Sequence, residues 1–450
     1  MSILKLVNLR GDLFATTFSF AAQAVVKLGS SLVLTRILRP EAYGLITILT
    51  SIVFTVELLA DIAVTTSLVR HPQGDETRFL NTAWTMRLAR ALVNTSAVFL
   101  LAPLLSRLYA TPELTAPLRI FSFWFLLSAL ESMSFPLAMR RKRSRFIVYS
   151  ELAATVLSTG FSITYCLHSR DYWGMVYGIL LNRLLISAMS YLVYPDYRPR
   201  VHFDREAARE LLKYTRFAMP SSLLTLGMSQ FDKIAFLRLF DLHLLGIYGL
   251  AGNITGPVES LISKISQMVL YPRVAHNFRT ERESFVRKYY TENVKLFFAI
   301  LILPAAVGGA ANLIIRVLYD PRYAQAGAVL QAFMMRSAML ALASPAEDLL
   351  IATGEFQVIL IGNIFRTIWL IGGSLGGYYL FGFLGFVYGA ALSGLPPLAY
   401  YWFLQRRRGF LIARYEILKV AFVLCVALAA HLVSALLLSI FPSVRIRFRV

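Results

Sequence analysis

Apolar runs of about twenty residues or more recur along the whole chain, and each is long enough to cross the roughly 30 Å of bilayer hydrocarbon as a helix. Thirteen are predicted: Leu13–Leu38, Ala42–Leu68, Thr82–Tyr109, Leu114–Met139, Phe146–Leu167, Tyr172–Tyr194, Tyr214–Phe240, Leu244–Leu270, Val294–Leu318, Ala324–Ala352, Phe356–Phe381, Gly382–Leu404 and Ile417–Phe441. A backbone in lipid must satisfy its own polar groups, so this pattern predicts an all-α polytopic membrane protein. Hydrophobic residues make up 57% of the chain and charged ones 16%, which excludes a string of soluble domains of the same length. Lys5 and Arg10 precede the first run with no cleavage signature after it, so an uncleaved first helix is expected. Cys166 and Cys425 both fall in apolar runs, and no histidine pairing has metal-ligand spacing. Neither a disulfide framework, a metal site nor a cofactor is expected.

A net charge of +20 could indicate nucleic acid, but its placement points to the membrane. Alternate loops differ sharply. One set carries 24 cations, including Arg140–Arg143, the group Arg198, Arg200, Arg205, Arg209 and Lys213, and Arg406–Arg408. The other carries four: Arg39, Arg107, Arg170 and Arg322. This bias places the first set and the N-terminus in the cytoplasm and predicts contact with anionic membrane lipids rather than nucleic acid. The tail cations Arg445, Arg447 and Arg449 would then lie outside, against the rule.

The chain repeats itself. Residues 34–46 align with 237–248 at an offset of 202, placing Arg36 on Arg238, Gly44 on Gly246, Glu57 on Glu259 and Leu68 on Leu270. Leu108-Tyr109 matches Leu318-Tyr319, and Phe146 matches Phe356, at an offset of 210. Each half therefore holds six spans, and six is even, so the repeat is parallel. The expected organisation is an N-terminal six-helix lobe (1–194), a cytoplasmic linker (195–213), a C-terminal six-helix lobe (214–404), then a basic loop and an additional hydrophobic segment (405–450). Within the linker, residues 206–212 have the composition of an amphipathic helix. Two parallel repeats with minimal loops describe a carrier.

Three stretches carry a family resemblance: "LGSSLVLTRILRPEAYGLITI" (28–48), "ELLADIAVTTSLV" (57–69), and "SQFDKIAFLRLFDLHLLGIYGLA" (229–251) followed by "LYPRVA" (270–275). They resemble the oligosaccharide flippases of bacterial surface-polysaccharide assembly, the Wzx type. That superfamily also holds the multidrug-extrusion (MATE) carriers and the lipid II flippases. "FGFLGFVYGAALS" (381–393) is similar to the Gly-rich start of the family's twelfth helix. The resemblance spans nearly the whole chain. It implies a V-shaped, two-lobed inner-membrane carrier working by alternating access, with an undecaprenyl-pyrophosphate-linked oligosaccharide as cargo. It also makes a proton or Na+ the candidate coupling ion and a polysaccharide polymerase complex a candidate partner.

Charge inside the spans supplies the candidate site. A cation at a helix centre costs roughly 2.5–3.5 kcal/mol on insertion scales, so those far from a helix end need a use. Lys27, Arg183 and Arg336 lie about midway along their runs, and Arg87, Arg90, Lys233 and Lys264 also fall within spans. Arginine forks and ammonium groups in a low-dielectric cavity suit a pyrophosphate, and these seven are the candidate cargo-binding residues. Glu57, Asp61, Asp232 and Glu259 are the candidate coupling or gating acids. Lys27 and Glu57 stand at similar depth on either side of the turn at Pro40, so a Lys27–Glu57 pair is expected, either as a working element or as a packing device. Arg36, Arg119, Arg216, Arg238, Arg316 and Lys419 are expected to snorkel from helix ends. Gly372, Gly373, Gly376, Gly377, Gly385 and Gly389 are expected to pack helices closely.

A MATE-like cation-coupled multidrug antiporter is the rival on the same fold. It needs acids to dominate, whereas cations outnumber acids here. A membrane enzyme needs substantial outside loops, which are missing, so no catalytic residues are expected.

Overall fold

A computed structural model describes residues 3–60, 68, 73–109, 111–140, 145–193, 197–212, 230–233, 235, 239–280, 284–355 and 357–440. Asp61, Arg238, most of the seventh run, the basic loop 141–144 and the tail 441–450 lie outside them. The chain divides into two units, Met1–Arg238 and Leu239–Val450.

The first unit holds α1 (Ile3–Ile37), α2 (Pro40–Leu59), α3 (Thr77–Leu108), the short helices α4 (Thr115–Phe121), α5 (Phe123–Ala129) and α6 (Ser134–Arg140), then α7 (Arg145–Ser169) and α8 (Trp173–Ser190). The second holds α9 (Leu242–Ile265), α10 (Tyr271–Thr280), α11 (Phe285–Gly309), α12 (Ala311–Leu318), α13 (Ala326–Ala352), α14 (Gln357–Ala391), α15 (Leu395–Arg407) and α16 (Ala413–Ile440). Eight helices among the described residues are long and apolar enough to cross a bilayer. One of them, Gln357–Arg407, turns back at Gly382 (φ 63°, ψ −140°) and so contains two of the expected runs.

The repeat is written into the element boundaries. α2 begins at Pro40 and α9 at Leu242, the aligned positions, by different devices. Pro40 presets the first turn of α2, while Asp241 caps α9 by accepting from the Leu244 N–H at 2.9 Å. α3 ends at Leu108 and α12 at Leu318, again aligned, and each is followed by a 3₁₀ turn opened by proline, Pro112–Leu114 and Pro321–Tyr323. The tight connection after α7 turns on Arg170 (φ 52°), and the reversal in α14 turns on Gly382. Four of the six glycines expected to pack helices, Gly373, Gly377, Gly385 and Gly389, do so across that reversal, while Gly372 and Gly376 face open space. A Cβ on Gly377 would meet the Gly385 carbonyl at 2.1 Å, and one on Gly389 the Gly373 carbonyl at 2.1 Å.

The fourth run departs from expectation. Instead of one span over Leu114–Met139, the chain forms α4, α5 and α6. The breaks free backbone carbonyls inside the apolar layer, and side chains from neighbouring helices satisfy them. Thr95 donates to Ser122 O, Arg87 to Ser128 O, Ser187 to Leu127 O and Tyr191 to Leu130 O. The interruption between α5 and α6 also positions Glu131.

The linker is partly structured, and residues 205–212 form the expected helix. Ala207 and Leu211 enter a core with Leu68, Phe79, Leu80, Trp84, Met133 and Leu137. The linker backbone is tied to α3: Arg200 N donates to Asn81 Oδ1, His202 N to Thr85 Oγ1 and Asp204 N to Thr82 Oγ1. The Asp204 carboxylate then caps the linker helix through the Ala207 N–H at 2.8 Å. That bond, with the Arg78 guanidinium 3.5 Å away, holds its carboxyl below the usual range.

Candidate functional site

In the first unit, α3 and α8 deliver three arginines to two acids. Arg183 Nη2 donates to Glu131 Oε2 at 2.8 Å and to Ser128 Oγ at 2.7 Å. Arg87 Nη2 reaches the same Glu131 oxygen at 3.4 Å. Arg90 Nη2 donates to Glu57 Oε1 at 2.6 Å while its Nη1 donates to Ala60 O at 3.0 Å. The Arg183 guanidinium also lies over the Trp124 ring, 5.4 Å from its centroid. Two donors in this network, Arg90 Nε and Arg183 Nε, are buried without an acceptor among the described residues.

The expected Lys27–Glu57 pair does not form. Glu57 turns to Arg90 because α3 presents a guanidinium at its depth, and among the described residues Lys27 makes no ion pair. Lys233 donates to Gln230 Oε1 at 3.5 Å, and its backbone N–H donates to Asp232 Oδ1. Gln230 in turn accepts from Ser51 Oγ at 2.6 Å. Asp61 lies outside the described residues.

In the second unit two buried ion pairs stand on separate acids. Arg336 Nε donates to Glu259 Oε1 at 3.0 Å, Ser337 Oγ shares that oxygen at 3.2 Å, and the Phe333 ring covers the guanidinium at 4.7 Å. Lys264 sits exposed in the last turn of α9. Lys419, expected to snorkel, is instead 2% exposed and pairs with Glu416 at 2.7 Å. Tyr290 Oη and Trp402 Nε1 donate to the two oxygens of Glu416, so this carboxylate is fully engaged. Ser266, where a π-helical turn interrupts the end of α9, donates to Asp348.

A cavity of about 470 Å³ lies within the first unit. Three helices line it with side chains at helical spacing: Gln23, Lys27, Ser30 and Leu34 from α1; Glu151, Thr155, Ser158, Thr159 and Ser162 from α7; Met175, Gly178, Ile179, Asn182 and Ile186 from α8. Thr50 of α2 completes the wall. Gly178 lets α7 and α8 approach, since a Cβ there would meet Ser162 Cβ at 2.8 Å. Of these residues only Lys27 is among the candidates read from charge within the spans. Glu131, which takes two arginines, is not among the candidate acids read from the sequence. The signal that would have found the cavity is the polar stripe 151, 155, 158, 159 and 162, spaced as one helix face.

The profile of a family described as "Polysaccharide biosynthesis protein" matches residues 33–327. The lipopolysaccharide biosynthesis protein WzxC of Escherichia coli (strain K12) is 21% identical over 80% of this chain and 73% of its own length. The succinoglycan biosynthesis transport protein ExoT of Rhizobium meliloti (strain 1021) is 22% identical over 75% of this chain and 67% of its own. Among solved structures, the lipid II flippase MurJ in an inward closed conformation superposes with a TM-score of 0.69 at 12% identity, covering 96% of this chain and 98% of that one. An inward-facing multidrug resistance MATE transporter superposes with a TM-score of 0.66 at 15% identity, covering 86% and 94%. These two likenesses establish the fold.

Proposed function

The chain belongs to the polysaccharide biosynthesis protein family, and on that premise we propose that it is a flippase for an undecaprenyl-pyrophosphate-linked oligosaccharide repeat unit. It is a multi-span membrane transport protein and not an enzyme. In this reading it sits in the bacterial inner membrane with its N-terminus in the cytoplasm. It moves cargo from the cytoplasmic to the periplasmic leaflet by alternating between inward- and outward-open states.

The observation that carries the reading is the surplus of guanidinium donors in the first unit. Arg87, Arg90 and Arg183 share two acids, and Arg90 Nε and Arg183 Nε are buried without an acceptor among the described residues. A pyrophosphate brings the acceptors such donors lack, and arginine forks match its oxygens. Arg336 would serve in the same way once released from Glu259, and Lys27, Lys233 and Lys264 would add positive potential. Glu57 and Glu259 then act as gates. Each carboxylate holds an arginine, and a proton or Na+ on the carboxylate releases that arginine to the cargo; Asp61 and Asp232 are the further candidate acids. A coupling ion drives alternation only through such a difference in affinity between states. The multidrug antiporter remains the alternative on fold alone, and the surplus of cations over acids favours an anionic cargo.

A strain lacking the gene, with no redundant carrier, is expected to accumulate lipid-linked repeat units in the inner leaflet and to lose the corresponding surface polysaccharide. Unchanged surface polysaccharide in that strain would overturn the reading.

A further inference from the structure

The arginine network and the cavity of the first unit offer opposite hydrogen-bonding faces. The network is rich in donors. The cavity wall is rich in acceptors, because five of its six hydroxyls, all but Thr159, spend their protons on backbone carbonyls. Ser30 Oγ donates to Lys27 O, Thr50 Oγ1 to Ile46 O, Thr155 Oγ1 to Glu151 O, Ser158 Oγ to Thr155 O and Ser162 Oγ to Gly174 O. A hydroxyl has one proton and two lone pairs, so each retains accepting capacity once its proton is committed. Glu151 adds carboxylate oxygens to the wall and Lys27 is its one cation.

We infer that this cavity is a carbohydrate-reading subsite, accepting hydrogen bonds from the hydroxyls of the cargo's sugar rings. The inference rests on the flippase reading above and adds where the glycan is recognised, apart from the pyrophosphate. A pyrophosphate is a poor occupant, since it carries acceptors and would face Glu151. An apolar drug is also a poor occupant, since it would leave the polar wall unsatisfied in a low-dielectric setting. A sugar ring presents several hydroxyl donors at fixed spacing. The volume of about 470 Å³ falls within the range of small-molecule sites, roughly 300–1,000 Å³. Packing alone does not account for the wall. Asn182 and Ser162 knit α7 to α8, but Gln23 and Thr159 have no hydrogen-bond partner among the described residues, and the space between them is open.

The test uses the full-length protein in detergent and two probes: bare undecaprenyl pyrophosphate, and the lipid-linked oligosaccharide isolated from the gene-deleted strain. The wild type is expected to bind the glycan-bearing lipid more tightly. Glu151→Gln and Thr155→Val should each erase about tenfold of that preference and leave the Kd for the bare lipid unchanged. Ile179→Trp, which fills the cavity without removing a polar group, should do the same. Unchanged preference in all three folded variants would overturn the subsite, and so would an equal loss for both lipids. A folded wild type that binds neither lipid would instead overturn the flippase reading on which the subsite rests.

Discussion

Glu57 and Glu259 occupy the same place in the two repeats, and each holds an arginine, yet the arginines come from different helices. Arg90 reaches Glu57 from α3, the third span of its half. Arg336 reaches Glu259 from α13, which lies in the fourth predicted run of its half. In the first unit the fourth span is broken, and its acid, Glu131, takes two further arginines. In the second unit Glu259 and Glu416 each form an ion pair with a different cation, and Phe333, Tyr290 and Trp402 close over these two pairs. The repeat therefore sets the depth at which an acid enters the bilayer but leaves its partner open. The first unit uses that freedom to gather surplus guanidinium donors, and the second covers its Glu259–Arg336 pair with the Phe333 ring.

The largest test of this contrast removes the shared acid. Glu131→Gln leaves Arg87 and Arg183 close together without a counter-charge. It should cost about 3–5 kcal/mol, as expected when one partner of a buried charge cluster is deleted. Glu259→Gln removes one ion pair whose guanidinium the Phe333 ring still covers, and should cost less, about 1–3 kcal/mol. Unfolding in detergent followed by circular dichroism compares the two, and equal losses would break the asymmetry.

A smaller effect separates the helix contacts. A Cβ on Gly309 would meet the Ala427 carbonyl of α16 at 2.2 Å, and backbone cannot move aside without shifting the helix. One on Gly178 meets the Ser162 side chain at 2.8 Å. Gly309→Ala should therefore destabilise the second unit by about 1–3 kcal/mol, with Gly178→Ala at the low end of that range. Thermal unfolding that ranks them in reverse would show that the α11–α16 contact is the softer one.

How much of this was legible in the sequence varies with the physics involved. Apolar length and loop charge depend on local composition, so the spans and the aligned starts at Pro40 and Leu242 could be read directly. The fourth run is a mixed case. Pro136 cannot donate to the Ser132 carbonyl and so marks the break between α5 and α6, whereas Ser122 is tolerable in an unbroken helix and its break depends on the donor that α3 brings. The Lys27–Glu57 pair failed for a related reason. Depth along a helix follows from residue count, but rotation about its axis follows from packing, and rotation gave Glu57 to Arg90 and turned Lys27 to the cavity. The cavity stripe on α7 was present in the sequence, but hydroxyls and amides weigh little beside charges when spans are searched for function.

The smallest expected effect lies at the linker. The Ala207 N–H bonds the ionised Asp204 carboxylate, so its contribution is present above the ordinary aspartate pKa of about 3.9 and fades as pH falls through the lower folded value. Hydrogen exchange should show the Ala207 amide losing protection at acid pH. In Asp204→Asn, that amide should no longer respond to pH over the same range.

The central claim is tested most directly by reconstituting the purified protein in liposomes that carry the labelled lipid-linked oligosaccharide and measuring its transfer between leaflets. Folded protein should speed that transfer well above the rate in protein-free liposomes, and Arg183→Ala should slow it. Transfer no faster than in protein-free liposomes, with the protein shown to be folded and a proton or Na+ gradient imposed, would contradict the account.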